Sequence, residues 1–108
     1  MKTLAPLIEQ IRRHPLTNSH DAWAFVRCAA ALQGELQPRA RVIAYVTAAL
    51  AQDIARLFDS AVDVSAHSQL EVASSLVASG LTVGASSGAQ AWIEPVAAAI
   101  STVRSLSL

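Results

Sequence analysis

The chain has 108 residues, room for one domain and one core. Hydrophobic residues make up 53% of it and charged residues 15%, against about 25% charged in an ordinary soluble domain. The formal net charge of zero argues against a nucleic-acid binder, which needs a basic footprint to neutralise phosphates. The single cysteine, Cys28, excludes an internal disulfide.

The predicted elements are all helices. Leu4, Leu7, Ile8 and Ile11 fall at i, i+3, i+4 and i+7, one face of a helix over about 3–13. Thr3 is its expected N-cap, Pro6 is tolerated in its first turn, and Pro15 ends it. Leu16-Thr17-Asn18-Ser19 is a cap-rich connection to a second helix over 19–33, with Asp21 in its positive first turn. Ala22, Phe25, Val26, Ala29 and Leu32 form the stripe of that helix, widened by Trp23 and Ala30, and Gly34 suits the position after its end.

Pro38 suits the first position of a third helix, over 38–59. Val42, Val46, Ala49, Leu50, Ile54, Leu57 and Phe58 read as its buried side. Arg39, Arg41, Gln52, Arg56 and Asp59 read as its wet side. Val62 and Val64 alternate in the following linker, too briefly for a strand. Ser68-Gln69-Leu70-Glu71 matches a capping box, with Asp63 or Ser65 as caps one turn earlier, so a fourth helix starts near residue 66.

The second half is chemically different. Twelve charged residues precede Ser60 and four follow it, and residues 72–93 carry none. That stretch is long enough to span a bilayer, but its serines, threonine, glutamine and three glycines argue against a span. Gly80, Gly84 and Gly88 repeat every four residues, a row of small residues that lets another helix approach closely. The serine–glycine cluster from Gly84 to Gly88 favours a turn between helices at about 66–84 and 88–105 over one helix kinked at Pro95. Val96, Ile100 and Val103 make the last stripe, and Arg104 complements the dipole at its end.

No catalytic, cofactor-binding or metal-binding set emerges. His14, His20 and His67 lack the i, i+3 or i+4 spacing by which one helix offers two metal ligands. Cys28 sits in an apolar run and reads as a small buried hydrophobe. Asp53 and Arg56, three residues apart, read as a flanking ion pair. Gly80 to Gly88 lacks the lysine of a phosphate-binding loop. The third helix lacks base-reading side chains on its wet face.

The expected architecture is therefore an all-α bundle of four to five helices, the third and fourth central, in one domain over 1–108. A domain of this size buries only about 65% of its unfolded surface, so a chain this apolar is expected to cover a remaining face with a homodimer partner or a second protein. The contact residues expected from aromatic content and small-residue spacing are Trp23, Tyr45, Phe58, Gly80, Gly84 and Trp92. The leading expectation is a non-enzymatic regulatory or adaptor protein, antiactivator-like or chaperone- or immunity-like. Two alternatives are a small-molecule binder or enzyme using Tyr45, Asp53, Arg56 and Cys28, and a membrane-active protein using 72–93. The first residues lack the apolar core of a signal peptide, giving a cytoplasmic expectation. One lysine against seven arginines suggests a GC-rich, bacterial source.

Overall fold

Helix starts are set by residues that satisfy the free amides of a first turn. In the computed structural model, which describes residues 2–60, 63–86 and 90–107, Asn18 accepts at 2.8 Å from the Asp21 amide, and Asp63 accepts at 2.9 Å from the Ala66 amide. The N-cap of the first helix is Leu4, without a side-chain cap bond, and not the expected Thr3, whose Oγ1 accepts from the Ala5 amide at 3.3 Å; Pro38 opens its helix with no amide to satisfy. The elements are α1 (Ala5–Arg13), α2 (Ser19–Leu32), a 3-10 turn (Gln33–Glu35), α3 (Pro38–Asp59), α4 (Val64–Ser86) and α5 (Ile93–Ser107).

Three further expectations need correction. Helix α4 starts at Val64, because Asp63 takes the cap and leaves the Ser68 box inside the helix. Helix α5 starts at Ile93, five residues later than expected, since residues 90–92 form a turn in which the Ile93 amide donates to the Gln90 carbonyl. There are thus two helices and not one kinked helix; Ser87 and Gly88, and Val62 of the alternating pair, lie outside the described residues. The third correction is rotational. The buried side of α3 is Ile43, Ala44, Thr47, Leu50, Ala51, Ile54 and Ala55, while Val42 and Ala49 are exposed. Alanine is the reason. Ala44, Ala51 and Ala55 let neighbouring helices approach closely, so the small residues of α3 turn inward and part of its larger stripe turns out.

Helix α2 packs along α3 and α4 packs along α5, giving two antiparallel hairpins. Helix α3 also touches α4 and α5, and α1 lies across α2 and α4. The hairpins close on Phe25, Leu7, Leu16, Leu36, Ile43, Ile54, Leu70, Val77 and Leu81, all fully buried. Buried polar groups are matched: Ser74 Oγ accepts from the Leu16 amide at 2.8 Å, and the Thr47 hydroxyl donates to the Ile43 carbonyl at 2.8 Å. At the N-terminal end the Lys2 amide donates to the Glu35 carbonyl, and Lys2 Nζ lies 3.4 Å from Glu35 Oε1. Arg41 donates to the carbonyls of Gln33 and Leu36, holding the α2–α3 connection.

The accessible surface of 5816 Å² is close to the roughly 5,700 Å² that a folded monomer of this mass exposes. The fold therefore exposes no more surface than an ordinary monomer of this mass, and among the described residues the large apolar side chains left outside are Val42 and Tyr45 on α3, Val64 and Val72 on α4 and Ile93 on α5. Among the described residues no helix is long and apolar enough to cross a membrane, and the described part of the uncharged stretch 72–93 falls in α4, the turn at 90–92 and the first residue of α5.

Candidate functional site: the outer row of the third helix

A central helix carrying apolar residues on more than one side presents the surplus outward. Helix α3 has neighbours on three sides, and its fourth carries Val42, Tyr45, Ala49, Asp53 and Arg56, all exposed. These positions follow i, i+3, i+7, i+11 and i+14, a straight row along the helix. Tyr45 is 69% exposed and Val42 55%, the two most exposed large apolar side chains of α3.

Tyr45 stands as a ridge between two open clefts. The α2–α3 cleft, about 340 Å³, is lined by Val26, Ala30, Ala48 and Ala49 with Gln33 and Gln52 at its rim. The α3–α5 cleft, about 270 Å³, is lined by Val46, Ala49, Leu50, Ile100 and Val103, with Asp53 and Arg104 as its charged groups. The small side chains of Ala48 and Ala49 create the hollows; the ring of Tyr45 makes the wall between them. Near the start of α3, Arg39, Val42, Gln90 and Trp92 enclose a further cleft of about 420 Å³, where Arg39 Nη1 donates at 2.6 Å to the Gly84 carbonyl.

Among the described residues, Tyr45, Asp53, Arg56 and Arg104 make no hydrogen bond or ion pair through their side chains within the chain. The Asp53–Arg56 pair expected from spacing is therefore not formed. The row and the α5 edge beside it thus present a phenol donor, a carboxylate and two guanidinium groups next to apolar clefts, with nothing among the described residues satisfying them.

The other expected contact residues lie elsewhere. Trp23 is half-buried and its indole N–H donates at 3.0 Å to Asp59 Oδ2, while the Ser19 hydroxyl donates to the second carboxylate oxygen. These bonds, Ser19 first and Trp23 second, hold the Asp59 carboxyl below its ordinary pKa. Trp23 therefore ties the start of α2 to the end of α3. Phe58 is half-buried, edge-on to His67 with ring centroids 5.4 Å apart, and ties α3 to α4. Gly80 and Gly84 are buried: a β-carbon on Gly80 would stand 2.6 Å from Val96 Cγ2, and one on Gly84 would stand 2.8 Å from Ile43 Cδ1. The helices that approach this flat row are α5 and α3 of the same chain. Trp92 is half-buried against Gly84, at the edge of the exposed face.

Sequence reasoning found Tyr45 and missed Val42, Ala49 and Ala30 as surface residues. A signal was available. Helix α3 has more apolar positions than one face can hold, and Val42, Tyr45 and Ala49 form a second row at helical spacing.

The pocket alternative draws on scattered residues. Tyr45 and Asp53 share the α3–α5 cleft, whereas Cys28 and Arg56 line neither that cleft nor the α2–α3 cleft. Burial pushes the Cys28 thiol up in pKa, away from the thiolate that nucleophilic chemistry requires. Among the described residues no three His, Cys, Asp or Glu side chains are placed to hold a metal ion. No family model, curated protein or solved structure matches this chain.

Proposed function

We propose that this chain is a non-enzymatic regulatory or adaptor protein that binds another protein across the outer row of α3. The observation that carries this reading is Tyr45, 69% exposed between two apolar clefts on the central helix of the bundle. A tyrosine in that position supplies a large, stiff contact area with a polar tip, and aromatic side chains of this kind dominate interface energetics. The rim of Gln33, Gln52, Asp53 and Arg104 gives the polar border that surrounds the apolar centre of a protein interface.

An apolar helical face of this kind covers a groove or a dimer surface on its partner. Sequestration of a regulator, as an antiactivator does, and chaperone- or immunity-like protection are the activities this physics serves. Self-association as a homodimer belongs to the same reading. The excess of arginine over lysine supports a bacterial source, and a cytoplasmic setting belongs to the same reading.

The test compares the wild type with Tyr45→Glu, both immobilised and exposed to lysate of the source cells. The reading expects one protein retained in stoichiometric amount by the wild type and lost with the variant, with both chains giving the same far-UV circular dichroism. Retention indifferent to the substitution, or neither a retained protein nor self-association of the wild type, sinks it.

A further inference from the structure

We propose that the occupant of the α3 outer row is a second copy of the chain, packed antiparallel with its two-fold axis at Ala49. This rests on the reading of that row as a protein-binding face and names its partner.

The argument is one of symmetry. A two-fold axis perpendicular to α3 at residue 49 sets each position against the one equally far on the other side of 49 in the partner. The exposed row is symmetric about that point: Tyr45 and Asp53 lie one turn to either side of Ala49, and Val42 and Arg56 two turns. The operation therefore places Tyr45 opposite Asp53 of the partner subunit, twice, and Val42 opposite Arg56 of the partner subunit, twice. Each pairing is chemically matched. The phenol O–H donates to a carboxylate, and the arginine lays its apolar stem over valine while its guanidinium stays in water. Among the described residues none of the three polar members has a side-chain partner within its own chain, so the pairing displaces nothing.

The shape agrees with the chemistry. At the axis Ala49 meets Ala49 of the partner subunit, and the small side chain allows the close approach that a helix pair needs at its crossing. Tyr45 of the partner subunit, arriving opposite Asp53, enters the α3–α5 cleft that Asp53 and Arg104 line. There the ring meets Ile100 and Val103, and Arg104 is placed to interact with its face. The parallel arrangement is disfavoured by charge, since it sets Asp53 against Asp53 and Arg56 against Arg56. The row from Val42 to Arg56 is about 21 Å long at 1.5 Å per residue, and α2 and α5 extend it sideways.

The experiment has two arms. Light scattering on a sizing column, over a range of concentrations, is expected to give twice the chain mass of 11.3 kDa for the wild type. Ala49→Glu and Ala49→Lys, both at an exposed position, are each expected to halve that mass, and an equal mixture of the two is expected to restore it. In the second arm, Ala49→Cys in a Cys28→Ala background is oxidised with copper–phenanthroline. A disulfide-linked dimer is expected, because the axis brings the two Cα atoms within the roughly 4.4–6.8 Å that a disulfide spans. Ser79→Cys in the same Cys28→Ala background, exposed on α4, is expected to give no disulfide-linked dimer under the same oxidation.

A wild type that is monomeric at every concentration overturns the proposal. So does a dimer that survives Ala49→Glu, or cross-linking no greater at residue 49 than at residue 79. A monomer that still retains a host protein through Tyr45 overturns the second copy as occupant and leaves the functional reading standing.

Discussion

Small residues stand on two helix faces, a row on α4 and the lone Ala49 on the outer face of α3, and they have opposite fates. On α4, Ala73, Val77, Gly80 and Gly84 face inward and are covered by α5 and α3. On α3, Ala49 faces outward, flanked by Tyr45 and Asp53, and no helix of the chain covers it. A small residue says that a helix can come close. Whether that helix belongs to the same chain depends on what flanks the row. Around Gly80 the flanks are apolar and uncharged, so the chain seals the seam itself. Around Ala49 the flanks carry a phenol, a carboxylate and a guanidinium with no side-chain partners among the described residues.

The contrast is broken most severely by filling the inner seam. Gly80→Leu has no room beside Val96, so α5 must move, and a loss of about 3 kcal/mol is expected in urea denaturation. Next is Ser74→Ala, which leaves the buried Leu16 amide without its acceptor; about 1–3 kcal/mol is expected by the same measurement. A finer comparison separates the two glycines. The added methyl of Gly80→Ala meets Val96, which is β-branched and stiff, and should cost about 1 kcal/mol after the gain in helix propensity. The methyl of Gly84→Ala meets the far end of Ile43, which can swing aside, so the propensity gain of about 1 kcal/mol should leave that variant no less stable than wild type.

The outer row should respond differently. Tyr45→Glu is expected to change stability by less than about 0.5 kcal/mol when measured at low protein concentration, because an exposed side chain has no packing to lose. A larger loss there would mean that the ring belongs to the core and the contrast is false.

The smallest expected effect is on pH dependence. Asp59 and Asp63 both have carboxyls held below the ordinary range, Asp59 by the Ser19 and Trp23 donors and Asp63 by the Ala66 amide and the Ser65 hydroxyl. A depressed native pKa means the unfolded chain binds more protons near the ordinary value. Their contribution is therefore present above about pH 4 and lost as pH falls through the native values. The mid-point of acid unfolding should move to higher pH in Asp59→Asn, as followed by circular dichroism, if the donors around Asp59 favour the charged form. No movement would mean those bonds do not discriminate.

Much of the bundle is legible in the residues, and the exceptions share a cause. Pro38 and the long apolar periodicity locate α3 at both ends, and Asn18 and Pro15 locate the break before α2. The start of α4 is misplaced because two sets of caps compete, and the side chain nearer the linker, Asp63, takes the amide. The buried side of α3 is misread by about one position because size was taken as the guide to burial. In an alanine-rich bundle, interhelical distance is short, and Ala44, Ala51 and Ala55 are inside while Val42 is outside. The candidate face is hidden for the same reason. Tyr45 stands out by its type, but Ala49 only by its place between Tyr45 and Asp53. Gly80 and Gly84 signal close approach without saying whose helix approaches.

The bond from the Leu16 amide to Ser74 joins residues 58 apart in the chain and links the α1–α2 corner to the α4–α5 hairpin. Each hairpin can form from neighbours in sequence, but this bond exists only once the two have docked. Hydrogen exchange at that single amide therefore reports assembly of the whole molecule, while amides in the α2–α3 hairpin report the hairpin alone. If the Leu16 proton exchanges faster than those of Ile43 or Ile54, the two hairpins separate before either one melts. The bundle would then be a clasp that opens along the surface between its halves, and the outer row of α3 would remain intact on the half that carries it.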